Sequence, residues 1–369
     1  MKKQYISADS HFCESDNFYL KRLPKKLHSE APRYVDIEGN YFWTDSYSLV
    51  PLAPSIGAGQ TDKKLKFRCT KREFHKFSNL KERIKMQKVD GALHEILLPN
   101  LGLLWRIKNK KIRKICFDVY NENALNVEKS NYKNNFTILQ IIHGNSESEM
   151  LASLESILKK NSENNLHGLV FDMEQLWQII KSQNFKLTKK ILRSIEEKKI
   201  PLVLHANGTN LTKNFSRPYT AKHTLFCINS MNLMVELYTS GLFDKFKNIK
   251  IIFSELGLSW INQLHFKLSY YKQRFKYLDD LKHLKKNFSE VLKQNIFCTF
   301  TTEFPDIQTI ELLGEKNLMF GSDFPHAESF FPHTKKFIDK LFKNYVNAQK
   351  FVTQNAIKNY NLKLKLHYE

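Results

Sequence analysis

"LMFGSDFPHAES", Leu318 to Ser329, begins as an apolar run of the kind that forms a buried strand and ends in glycine, aspartate, proline and histidine. A strand that is apolar along its body and charged only at its C-terminal tip belongs to parallel α/β proteins, where the tips form the active-site face. One such strand settles the architecture only if others end the same way. Seven further apolar runs do have strand character: "QYISAD" (4–9), "GALHEILL" (91–98), "FTILQIIH" (136–143), "LHGLVF" (166–171), "IPLVLHA" (200–206), "IKIIFSE" (249–255) and "NIFCTF" (295–300).

Between most of these runs, apolar residues recur at three- and four-residue spacing, as in Met150, Leu151, Leu154, Ile157 and Leu158, or Trp260, Ile261, Leu264 and Leu268. That period marks helices packed on one face. Eight strands alternating with helices in 369 residues favour a closed (β/α)8 TIM barrel over an open doubly wound sheet. No GxGxxG follows the first strand, so the usual dinucleotide-binding fingerprint is missing. One segment exceeds a minimal barrel. Residues 32–88 are long, aromatic and basic, with Pro and Gly clustered between Pro51 and Gly59, and they read as an insertion after the first strand that covers the barrel mouth. Residues 1–369 otherwise read as a single domain.

The composition, 42% hydrophobic with 28 Phe and 15 Tyr, excludes a disordered chain. A net charge of +21 would point to nucleic acid if the cations were gathered. They are spread instead through segments such as "KKILRSIEEKK" (189–199), interleaved with Glu and apolar residues, so a solvated lysine-rich surface without specific nucleic-acid binding is expected. The five cysteines are odd in number and lack a CxxC pair, which argues for a reducing compartment and against a cysteine-built zinc site. No apolar run is long enough for a membrane span, and a cytoplasmic protein with no membrane partner is the expectation.

The strand tips carry a set. The first holds Asp9 and His11, the fifth His205, the sixth Glu255 and the eighth Asp323. Asp-x-His at period two on a strand points both side chains to one side, as two ligands of one metal require. Imidazole with carboxylate and no thiolate suits zinc, manganese or iron(II), and an open coordination position suits catalysis. Each residue also has an ordinary reading: Asp323 as an N-cap before Pro325, His205 as a core histidine, Asp9 and His11 as an early turn. His326 is a candidate substrate contact or proton shuttle. Glu14 is a candidate for orienting substrate or for capping a turn. Trp260 either packs the helix after the sixth strand or lines the substrate site.

Taken in order, "ISADSHFCES", "LPKKLHSEAPR", "IPLVLHANG", "KNIKIIFSELGLSWI", "LMFGSDFPHAES" and "NAIKNYNL" resemble the amidohydrolase-related branch of the amidohydrolase superfamily. That branch includes aminocarboxymuconate-semialdehyde decarboxylase and gamma-resorcylate decarboxylase. The resemblance implies a (β/α)8 barrel with a divalent metal, zinc first and manganese or iron as alternatives, held by Asp9, His11, His205 and Asp323. Asp323 would also transfer protons. A small-molecule substrate and a homo-oligomeric state follow from the same resemblance. The chain departs from the pattern at Glu255, in "SELGL", where the decarboxylases carry a histidine. A carboxylate there disfavours a substrate carboxylate beside the metal and tilts the expectation towards hydrolysis of an amide, lactone or related carbonyl bond, with Asp323, Glu255 and His326 as the catalytic groups. Non-oxidative decarboxylation of an aromatic or enol acid is the alternative, and a catalytically inactive, basic binding barrel is the third.

Overall fold

The structure is a computed structural model that describes residues 4–60, 68–162, 165–181, 186–205, 219–278 and 280–364. All eight apolar runs form strands. The first is β1 (Tyr5–Phe12), and the excursion after it carries three short strands of its own, β2 (Arg33–Ile37), β3 (Asn40–Thr44) and β4 (Leu49–Pro51). The series resumes with β5 (Ala92–Pro99) and a run broken at Leu139 into β6 (Phe136–Ile138) and β7 (Gln140–Ile141). It continues through β8 (Leu169–Val170), β9 (Leu202–His205), β10 (Ile251–Ser254), β11 (Ile296–Phe300) and β12 (Leu318–Phe320). The residues of the eight runs are almost wholly buried, as parallel strands covered on both faces must be. Residues 206–208, which complete the "IPLVLHANG" run, lie outside the described residues, as do 61–67 of the expected insertion.

The chain divides into two compact units, the first built from Met1–Ile141, Phe320–Ala348 and Lys363–Glu369, the second from Ile142–Met319 and Gln349–Leu362. In the first, β1 pairs in parallel with β5 from Tyr5↔Ala92 to Phe12↔Pro99, and β5 pairs in parallel with β6. The crossover between β1 and β5 ends in the helix Leu80–Asp90. Asn79 caps it, its side chain accepting the Lys81 and Glu82 N–H groups, and Gly91 closes it in the left-handed region at φ 92°. Beyond Phe320 the chain runs beside β1. Asp323 N–H donates to Asp9 O (2.9 Å), His11 N–H donates to Phe324 O (2.8 Å), and Ser10 and Phe324 form a parallel bridge.

Within the excursion, antiparallel β2 and β3 are joined by Glu38 and Gly39, both at positive φ (51° and 74°), the two-residue turn whose twist suits a hairpin. Strand β4 pairs with β3. The next residues reach the loop after β12: Gly57 and Ala58 N–H donate to Pro325 O (3.2 and 3.0 Å), and Ala327 N–H donates to Ser55 O (2.8 Å). Residues 71–90 depart from the expected loop, because two helices, Lys71–Ser78 and Leu80–Asp90, occupy them.

In the second unit, β8, β9, β10 and β11 pair in parallel in that order, with β12 next to β11. The helix Glu147–Lys160 buries Met150, Leu154 and Ile157, and the helix Ser259–Arg274 buries Trp260, Ile261 and Leu264. These are the faces that the three- and four-residue spacing predicts. The closing helix Asn355–Asn359 braces β12, with Asn355 Nδ2 donating to Leu318 O (2.7 Å). No described helix is long and apolar enough to cross a membrane.

Candidate functional site

Asp9 and His11 lie at the end of β1 with no exposure to solvent. The His11 ring is oriented by the neighbouring strand: its Nδ1 lies 3.2 Å from Pro99 O, and since a carbonyl only accepts, Nδ1 carries the proton. In the neutral ring Nε2 then presents a lone pair. It faces Asp323 Oδ1 at 2.9 Å and Asp9 Oδ1 at 3.8 Å. His326 stacks on His11, ring centroids 3.9 Å apart, and places its Nδ1 2.8 Å from the same Asp323 oxygen. Its Nε2 lies 3.1 Å from Asn100 Oδ1.

The backbone explains how Asp323 reaches this position. No helix starts directly after it, so Asp323 is not an N-cap; it adopts φ 53°, turning its side chain out of the line of β12. Gly321 permits the approach: a Cβ there would sit 2.6 Å from Asp9 Cβ. Burial pushes the Asp323 carboxyl up to about 6, with the His11 hydrogen bond opposing and the Asp9 charge adding to the rise.

This donor set fits a divalent cation. Two fully buried carboxylates face a histidine lone pair, and bringing such charges out of water costs several kcal/mol per ion unless they are compensated. Asp323 Oδ2 is buried without a hydrogen-bond partner among the described residues. A proton or a cation between Nε2 and the carboxylates removes the conflict, and the Nδ1–H to carbonyl bond of His11 is the outer contact that metal-binding histidines use.

In the second unit, His205 ends β9 and Glu255 follows β10. His205 Nε2 and Glu255 Oε2 are 2.9 Å apart, so His205 is paired with a carboxylate rather than set in an apolar core. Glu255 also has a positive φ, 58°, and its N–H donates to Thr299 Oγ1 (3.1 Å). Trp260 is buried, donates its indole N–H to Gly257 O (2.8 Å) and packs on Phe253. It packs beneath the loop that carries Glu255.

Glu14 is buried and accepts from the Tyr19 and Tyr34 hydroxyls (2.8 and 3.2 Å). Burial raises its pKa while those two donors lower it. Three residues near the site are not singled out by the sequence. Asn100 directly follows β5, so the strand-tip rule could have found it. Arg83 and Glu95 form a buried ion pair (2.8 Å), and nothing in "LKERIKMQKVD" separates that arginine from its exposed basic neighbours.

Comparison with known proteins bears on the fold and the family. No curated protein matches the sequence. Among solved structures the chain is similar in fold to an amidohydrolase from Mycobacterium avium subsp. paratuberculosis, with TM-score 0.72, 12% identity, and coverage of 98% of this chain and 100% of the other. It is also similar to 5-carboxyvanillate decarboxylase from Novosphingobium aromaticivorans, complexed with manganese and 4-hydroxy-3-methoxy-5-nitrobenzoic acid, with TM-score 0.67, 16% identity, and coverage of 97% and 96%. A third is 2,6-dihydroxybenzoate decarboxylase from Rhizobium, with TM-score 0.61, 15% identity, and coverage of 97% and 99%. The fold class is the α/β, (β/α)8 barrel class expected from the strand alternation. The amidohydrolase family profile matches residues 167–362, more than half of the sequence, and the chain belongs to the amidohydrolase family.

Proposed function

We propose that the protein is a divalent-metal-dependent decarboxylase of an aromatic or enol carboxylic acid. The observation that carries the reading is Asp323, a fully buried carboxyl held between the His11 and His326 rings. Non-oxidative decarboxylation needs a group that delivers a proton to the carbon losing carbon dioxide, and Asp323 can take that proton from the His326 ring beside it. Two structural neighbours are aryl-acid decarboxylases, which supports the same class.

In this reading Asp9, His11 and Asp323 hold the metal, and the family resemblance in sequence adds His205 as a further ligand. Manganese and zinc both suit the oxygen- and imidazole-rich set, and the manganese-bound neighbour favours manganese. The metal supplies charge stabilisation for the substrate's oxygens. Asp323 transfers its proton to the substrate carbon, the bond to the carboxylate breaks, and carbon dioxide leaves. The His326 ring, bonded to Asp323, returns a proton from solvent, and Asn100 fixes that ring. The excursion over residues 32–60 pairs with the His326 loop and shapes the substrate pocket.

Hydrolysis of an amide or lactone is the second reading, favoured by Glu255, a carboxylate where the resembling decarboxylases carry a histidine and a group that would repel a substrate carboxylate. Manganese- or zinc-loaded protein assayed against a panel of hydroxybenzoates for carbon dioxide, and against amides and lactones for acid release, separates the two. Carbon dioxide with no acid release supports decarboxylation; the reverse result replaces it with hydrolysis.

A further inference from the structure

The helix Leu80–Asp90 carries an arginine that is 1% exposed, Arg83. Its guanidinium spends its donors on three different parts of the first unit. Nε donates to Glu95 Oε2 (2.8 Å), Nη1 to His11 O, and Nη2 to Phe324 O (3.1 Å). Phe324 O also accepts the His11 N–H. The His11 backbone is thus tied on both sides, directly through its N–H and through the guanidinium at its carbonyl, to the residue that follows Asp323. The Phe324 and Phe136 rings flank the cation at 4.9 and 5.9 Å.

We propose that Arg83, neutralised by Glu95, is a positioning residue that sets the spacing between His11 and Asp323. A buried ion pair is a poor stabiliser, since apolar side chains of similar volume often do as well. What only a guanidinium supplies here is a planar fork that reaches a carboxylate and two carbonyls at once. A lysine keeps the charge for Glu95 but cannot span both carbonyls. The inference rests on the metal-site reading above.

The test uses cobalt(II), whose visible absorption reports coordination geometry, with purified full-length protein. Wild type is compared with Arg83→Lys, with Arg83→Met combined with Glu95→Gln, and with Asn79→Ala, which removes the cap of the same helix without touching the site. Outer contacts of metal ligands change affinity about 10- to 100-fold. Both Arg83 variants should weaken cobalt binding by that factor and alter the spectrum, while Asn79→Ala lowers the melting temperature and leaves the spectrum unchanged. If the Met variant does not fold, Arg83→Lys carries the test. Arg83 variants that keep wild-type affinity and spectrum overturn the positioning role, as does an equal spectral change in Asn79→Ala. Wild type that takes up no cobalt overturns the metal reading itself, a distinct result.

Discussion

The pairs His11–Asp323 and His205–Glu255 look alike in sequence and in local geometry. Each joins a strand-tip histidine to a carboxylate at 2.9 Å, and each acid has a positive φ, 53° and 58°. Their surroundings differ. Asp323 is fully buried beneath His326, and His11 is oriented by Pro99 and Arg83; the Glu255 side chain keeps 11% exposure and its backbone rests on Thr299. A strand-tip motif thus supplies the chemistry, while long-range partners without any motif decide how firmly it is held.

The largest effect is expected at Asp323. Asp323→Asn should lower turnover about 10²- to 10⁴-fold, the range for loss of a general acid. Glu255→Gln should cost less, and an equal loss in steady-state assays would erase the distinction between the pairs. Next, Asn100→Ala should lower turnover, by less than Asp323→Asn, by releasing the His326 ring that returns the proton. Its melting temperature should stay near wild type, measured by circular dichroism.

A pH series probes the same contrast from the side of protonation. The folded-state pKa of Asp323 is raised to about 6 by burial, above its unfolded value, so in the metal-free protein its contribution to stability is present at acid pH and lost as pH rises through about 6. Metal competes with that proton, so uptake should weaken as pH falls through about 6. Unfolding of loaded and metal-free protein across this range should show a melting-temperature difference that widens with pH; a constant difference would remove Asp323 from the ligands. The smallest effect is Gly321→Ala. Its Cβ would meet Asp9 Cβ at 2.6 Å, an overpacking expected to cost about 1–3 kcal/mol in denaturant unfolding.

Much of this architecture is legible in sequence because the period of apolar residues exposes buried strands and one-faced helices. All eight runs form strands. What stays hidden depends on contacts between distant residues. Arg83 is surrounded by exposed basic residues and shows no pattern of its own; its role appears only when His11 and Phe324, from opposite ends of the chain, are neighbours. The helices at 71–90 resemble inserted loop in sequence because lysine and arginine mask their apolar face. Trp260 has two readings in sequence, and its indole N–H bond to Gly257 is a contact that no sequence pattern announces.

The decisive measurement is metal analysis of protein purified without chelator, for wild type and for His205→Ala combined with Asp323→Asn. Near-stoichiometric manganese or zinc is expected in wild type and none in the folded double variant. A wild type that stays metal-free after reconstitution, or a double variant that keeps its metal, would contradict the metal-centred reading of the site.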